Sequence, residues 1–307
     1  MKKIAFTFFT LLVALLTKAQ NPDDKLVISN LYVYDMASHT SSLVTRELRH
    51  IEAPNWSRDG KYFLINAYGK LEKMSLTGDR MGALNTGNVV NCNNDHGYTF
   101  DGNTLFISSG KPSVAGTSYI FKVSANGGEP KQITPLTPSY WHGVSPDGKT
   151  IVYCAERNGN YDVYAMNANG GEEKRLTDAP GLDDGPEYSP DGKYIYFNAF
   201  RNGMMQIWRM YPDGSHQEQM TFDAHPNWFA HLSPDGTKAT IITYMEDQVQ
   251  KHPFGKQVKI RLLDVATKKV TDLTAPFFGG QGTINVPSWS PDGKKFAYVV
   301  YEMMASK

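Results

Sequence analysis

Cysteine is nearly missing from this chain, with only Cys92 and Cys154 in 307 residues. That excludes a disulfide framework, although an oxidising compartment would permit one bond between the pair. An excess of either charge is also missing. Lys+Arg and Asp+Glu both number 31, so the formal net charge is zero. No basic field exists to hold nucleic acid or an anionic membrane surface, and both are set aside as partners. Long apolar runs are confined to Ile4 to Leu16, shorter than the roughly 20 residues of a comfortable membrane span. Lys2-Lys3 precede that run and Thr17-Lys18-Ala19 follow it as a small-x-small site, so residues 1–19 read as a signal peptide. With no cysteine near the cut, a lipoprotein anchor is not indicated. The expectation is an exported protein, periplasmic or secreted, that does not insert in a membrane after cleavage. A Gly-x-Ser-x-Gly elbow is absent too, which argues against a serine hydrolase.

Turns and aromatics are plentiful. The chain carries 27 Gly, 17 Pro and 12% aromatic residues. Ser145-Pro146-Asp147-Gly148 recurs letter for letter at Ser189, Ser233 and Ser290, and in degenerate form at Ser57-Arg58-Asp59-Gly60 and Thr99-Phe100-Asp101-Gly102. Self-similarity at a period near 45 residues marks a repeat architecture. Pro presets φ, the Asp carboxylate accepts local N–H groups and Gly supplies positive φ, so these Asp residues read as turn chemistry.

Each copy sits in the same four-strand pattern. In the third unit Tyr140 to Val144 leads into the turn, then Thr150 to Cys154 alternates, Arg157-Asn158-Gly159-Asn160 turns, and Asp162 to Met166 alternates again. Asn169-Gly170-Gly171 and Lys174-Arg175-Leu176-Thr177 close the unit. The third strand pairs an aliphatic residue with Met or Val three places on, as in Val163/Met166 and Ile207/Met210. Such four-stranded units are β-propeller blades. They are expected at about 53–87, 93–134, 140–177, 184–221 and 228–274, with 285–302 plus 26–46 making a sixth, all in one domain over 20–307. The N-terminal strands thereby complete the C-terminal blade and cover two sheet edges. In this map Cys92 lies in a loop entering one blade and Cys154 in the second strand of the next, so two free, buried thiols are expected.

Ser-Pro-Asp-Gly, the Ile/Val-Tyr-x-Met strand, Asn-Gly-Gly and the closing Leu-Thr resemble the repeats of the TolB-like propeller family over residues 26 to 302. The resemblance implies an all-β, six-bladed propeller. TolB carries a further N-terminal α/β domain, which is not expected here because blade strands follow the leader directly.

In a propeller the innermost strand and the loop before it line the channel. Here that means the eight residues before each Ser-Pro-Asp-Gly. These windows hold five of the eight His (His50, His96, His142, His225, His231) and four of the five Trp (Trp56, Trp141, Trp228, Trp289). They are also where the repeats differ most. Convergent polar and aromatic groups in a concavity make a ligand site the default expectation. Three readings stay open. In the first, a small polar ligand such as a saccharide is held by Asn94, Asp95, Trp141, Asp184, His225, Trp228, Gln281 and Asn285. In the second, a divalent metal is a candidate cofactor, on His96, His142, Glu187 and His231, with Asp184 as base. Certain polysaccharide lyases are propellers with a His-rich metal centre, so a lyase or hydrolase of oligosaccharides belongs to this reading. In the third, the polar groups are structural and an envelope protein docks on the rim, making the chain an interaction scaffold. Two long connections, Met245 to Lys256 and Pro276 to Thr283, stand out. The second is expected to flap over the funnel with Gln281 inward.

Overall fold

Each repeated turn closes on its own side chains before the chain enters the next strand. Ser189 Oγ donates to Asp191 Oδ1 at 2.7 Å and accepts the Tyr194 N–H at 3.0 Å, while Lys193 N–H donates to the same carboxylate at 3.1 Å. The equivalent hydroxyl–carboxylate bond occurs in the turns at Ser57, Thr99, Ser145, Ser233 and Ser290. In every copy the hydroxyl donor heads the causes that hold the Asp carboxyl below its ordinary range. The turn glycines take φ between 68° and 75°, a region closed to most side chains. The motif is a structural staple.

A computed structural model describes residues 27–111 and 114–304. The expected signal peptide lies outside the described residues. Among these, every named element is a β-strand, and no helix is long and apolar enough to cross a membrane. The strands form six antiparallel sheets around a ring, a six-bladed propeller. Five contain the expected four-strand path, with innermost strands Glu52–Trp56, Cys92–Tyr98, Ser139–Val144, Asp183–Tyr188 and Asn227–Leu232. The sixth is made of Lys295–Met303, Val27–Asp35 and Thr40–Glu47, its innermost strand reduced to the single bridge Trp289–Phe296. Ring closure therefore joins the two ends of the chain, with Val27 opposite Met303 and Asp35 opposite Lys295.

The recurring Leu-Thr also has a cause. Thr134, Thr177, Thr221 and Thr274 each accept, at 2.9–3.0 Å, the N–H of the third-strand aliphatic residue of their own blade (Ile120, Val163, Ile207, Ile260). Between blades a second device repeats. The residue nine places after the motif Ser/Thr reaches the innermost strand of the following blade. Asn66 donates to Cys92 O and Asn93 O, Ser108 accepts the Trp141 N–H, Cys154 Sγ donates to Asp183 O at 3.5 Å, and Asn198 accepts the Phe229 N–H. Cys154 thus occupies a latch position. It and Cys92 are both free and buried. Six apolar clusters fill the seams between neighbouring blades, which is where burial stabilises the ring.

Candidate functional site

Every innermost strand of the five four-stranded blades breaks register once against its neighbour. Such bulges re-aim side chains and gather at the rims of sites. Ala53, Gly185 and Phe229, all four places before the motif Ser, take φ of 54°, 61° and 51° at this break. For Phe229 that left-handed backbone costs about 1 kcal/mol. Its ring is held by stacking near His142, with centroids 5.8 Å apart, and edge-on to His252 at 5.0 Å.

The bulges open a cavity of about 510 Å³ on the loop side of the ring. Blades two to five supply its walls through Asn93, Asn94, Asp95, Tyr140, His142, Asp184 and Phe229, with Cys154 and Tyr161 behind them. The connection after blade five's second strand covers it with Gln250, Lys251, His252 and Pro253, and Gln281 closes one side. This connection is pinned. Gln250 accepts the Leu182 N–H at 2.7 Å, and Pro253 O accepts from Tyr244 Oη at 3.0 Å. The expected flap lies differently. Phe277–Gly279 pairs with the start of Lys256–Asp264, so this segment is a fixed sheet edge, although Gln281 does face the cavity wall. Residues 250–253 supply the larger part of the cover.

Asp184 is the centre of the polar network. Its Oδ1 accepts from His142 Nε2 at 3.1 Å and from the Gly185 N–H at 2.7 Å, and its Oδ2 lies 3.5 Å from His252 Nε2. Burial alone would raise this carboxyl, but the two imidazoles outweigh it and hold it well below the usual carboxylate range. The same contact works in reverse on His142: burial opposes its charged form, yet Asp184 raises it above the ordinary imidazole value. Asp95 behaves oppositely. Burial pushes it up to about 6, with His142 pulling down and Asp184 pushing up.

The residues expected to act together are divided. Asn94, Asp95, Asp184 and Gln281 line the cavity, as does His142. Trp141 and Trp228 are 1% and 0% exposed and belong to the seams between blades, Trp141 lying against Phe106. His225 stands apart, its N–H donating to Asp223, and Asn285 Oδ1 accepts the Gly282 N–H at 2.6 Å while its Nδ2 is buried without a partner among the described residues. Of the four candidate metal ligands, only His142 reaches the cavity. Glu187 pairs with His231 at 2.7 Å, while His231 also meets Ile284 O at 2.8 Å and Glu187 accepts the Leu232 N–H. His96 is sealed in, with Nε2 facing Leu64 O at 3.3 Å, and burial depresses it to about 4. Among the described residues no group of three or more His, Cys, Asp or Glu is arranged to hold a metal ion. Sequence reading missed Tyr161, Phe229, Gln250, Lys251 and His252. Loop length signalled the last three, but only their contacts place them.

The opposite mouth is much narrower. A cavity of about 50 Å³ there is walled by Trp56, Trp289, Tyr98, Tyr188, Pro190 and Pro234, with His142 common to both cavities. On this face the motif prolines meet the neighbouring turns: a Cβ on Gly236 would stand 3.5 Å from Pro190, an ordinary contact.

Comparison with known proteins agrees with this architecture. Residues 136–284 match the TolB beta propeller domain model. The uncharacterized protein Atu1656 of Agrobacterium fabrum is 45% identical over 274 residues, 89% of this chain and 92% of that one. A structure from Agrobacterium tumefaciens, solved as a candidate TolB, is 44% identical, with a TM-score of 0.84 over 90% of this chain and 99% of the other. TolB from Acinetobacter baumannii is 22% identical with a TM-score of 0.51, covering 88% of this chain and 57% of that one, a likeness of fold. The chain belongs to the TolB-like β-propeller family.

Proposed function

We propose that this protein is an exported TolB-like propeller that binds a small polyhydroxylated ligand, a saccharide in class, in the cavity over blades two to five. The observation that carries this reading is the cavity itself. Its volume of about 510 Å³ falls within the usual range for small-molecule sites, about 300–1,000 Å³, and its wall combines apolar faces with a few convergent polar groups. Tyr140 and Tyr161 offer surfaces for the C–H faces of a sugar ring. Asn94 and Gln281 present amides that both donate and accept, which suits hydroxyl groups. Asp184, kept ionised and oriented by two imidazoles, is a strong acceptor for one hydroxyl. Export rests on the leader pattern of residues 1–19.

Isothermal titration calorimetry against neutral mono- and disaccharides tests this. Binding is expected to weaken at least tenfold, on the order of a lost charge-assisted hydrogen bond, in Asp184→Asn. Tyr140→Ala, which removes a wall, should weaken it comparably. No heat from any saccharide would overturn the proposal, and capture of an envelope protein through the same rim would then be the better account.

A further inference from the structure

Two carboxylates face the cavity, and their surroundings differ. Asp184 has an imidazole against each oxygen. Asp95 is 6% exposed, accepts one hydrogen bond from Asn93 Nδ2 at 2.8 Å, and makes no ion pair among the described residues. The groups facing it from other elements are His142 of blade three, Asp184 of blade four and His252 of the covering connection. Tyr140 and Cys154 also feel its charge, but burial raises both, so they stay neutral. His142 is committed to Asp184, whose own charge opposes that of Asp95. A buried carboxylate with one neutral donor is costly for a fold to keep. The repeat itself does not call for a carboxylate there, since the equivalent places hold Ala53, Trp141, Gly185, Phe229 and Val286.

We infer that Asp95 is the counter-ion for an ammonium group on the ligand, so the cavity selects an amino sugar over its neutral parent. This rests on the saccharide reading above. An ammonium entering the cavity would complete the Asp95 carboxylate with a charge-assisted hydrogen bond. It would also lie near Tyr140 and Tyr161, whose ring faces attract cations. Lys251 stands on the same wall and opposes a cation, but it is exposed and screened by solvent where Asp95 is buried. The raised Asp95 value of about 6 has a consequence for pH. Protonation removes the counter-ion, so preference for the ammonium should fade as pH drops through about 6.

Calorimetry with glucosamine, glucose and N-acetylglucosamine at pH 7.0 and pH 5.0 decides the matter. At pH 7.0 glucosamine should bind about tenfold more tightly than glucose or the acetylated sugar, as one charge-assisted hydrogen bond implies. The ratio should shrink at pH 5.0, and in Asp95→Asn it should fall to about one at both pH values. Binding of all three sugars with equal affinity, or an ammonium preference that survives in Asp95→Asn, would overturn the inference and leave the saccharide reading intact. Silence from all three sugars sinks both.

Discussion

Asp95 and Asp184 share one cavity and are shifted in opposite directions, because burial acts on both while imidazoles contact only one. The raised Asp95 carboxyl makes the folded state hold its proton more tightly than the unfolded chain does. Stability therefore falls as pH rises from about 4 to about 6, and the penalty is complete above that window. Asp95→Asn removes the penalty. Thermal or denaturant unfolding at pH 7.5 should show the variant more stable by about 2 kcal/mol, with the gain lost near pH 4. A destabilised variant at pH 7.5 would mean that Asp95 has a native partner. Asp184 runs the other way, contributing stability above the ordinary carboxylate value that is lost as pH falls. At this scale the sequence pointed to Asp95 and Asp184 as site residues, since both stand in variable windows. It did not reveal the different environments, which come from blades and loops distant along the chain.

The elements are held by devices of short range, and that is why they were legible. A Ser hydroxyl reaching two and five residues ahead makes the turn, and a Thr closing the fourth strand caps a third-strand N–H. Bulges were not legible, because a one-residue excess in a strand has no marker when the residue is Ala or Phe. Gly185 is the exception and offers a test. Its φ is 61°, and a Cβ there would stand 2.6 Å from Asn198 Oδ1 and 2.8 Å from the Phe229 ring. Gly159, at φ 79° in a hairpin, has nothing within 4 Å. Gly159→Ala should cost only the left-handed penalty, about 1 kcal/mol. Gly185→Ala adds a clash with the blade-to-blade latch and should cost about 3 kcal/mol or more. Equal unfolding midpoints for the two variants would contradict this account of the bulge.

On the scale of the whole molecule, the seams between blades carry the apolar core, so the ring is only as stable as its closure. The last seam depends on Val27–Asp35 pairing along Lys295–Met303 and on Leu31 packing among Ile51, Phe63 and Val299. Removing residues 27–47 would leave Lys295–Met303 as an exposed edge and uncover that cluster. The truncated chain should aggregate, or melt many degrees lower by calorimetry. Unchanged solubility and melting would refute closure by the chain's two ends. The half-units at the ends of the sequence were enough to count six blades. The reduction of the sixth innermost strand to one bridge was not read in advance, although Thr283 to Ser288 lack the His, Asp and Glu found in the other windows.

The sequence by itself determined the repeat, the turn and the blade count. Each of these follows from interactions within one blade or from counting complete and incomplete blades. Tertiary structure alone decided which window residues meet. Identical places in the repeat would be equivalent if the ring were symmetric, but residues 250–253 of the connection at 245–256 line the cavity over blades two to five, while Phe254 packs on His50 and Tyr301. Glu187 and His231, read as metal ligands beside His142, satisfy one another across a blade seam instead. Asp184 was left with His142 and with His252, a partner 68 residues away that no repeat position could have named.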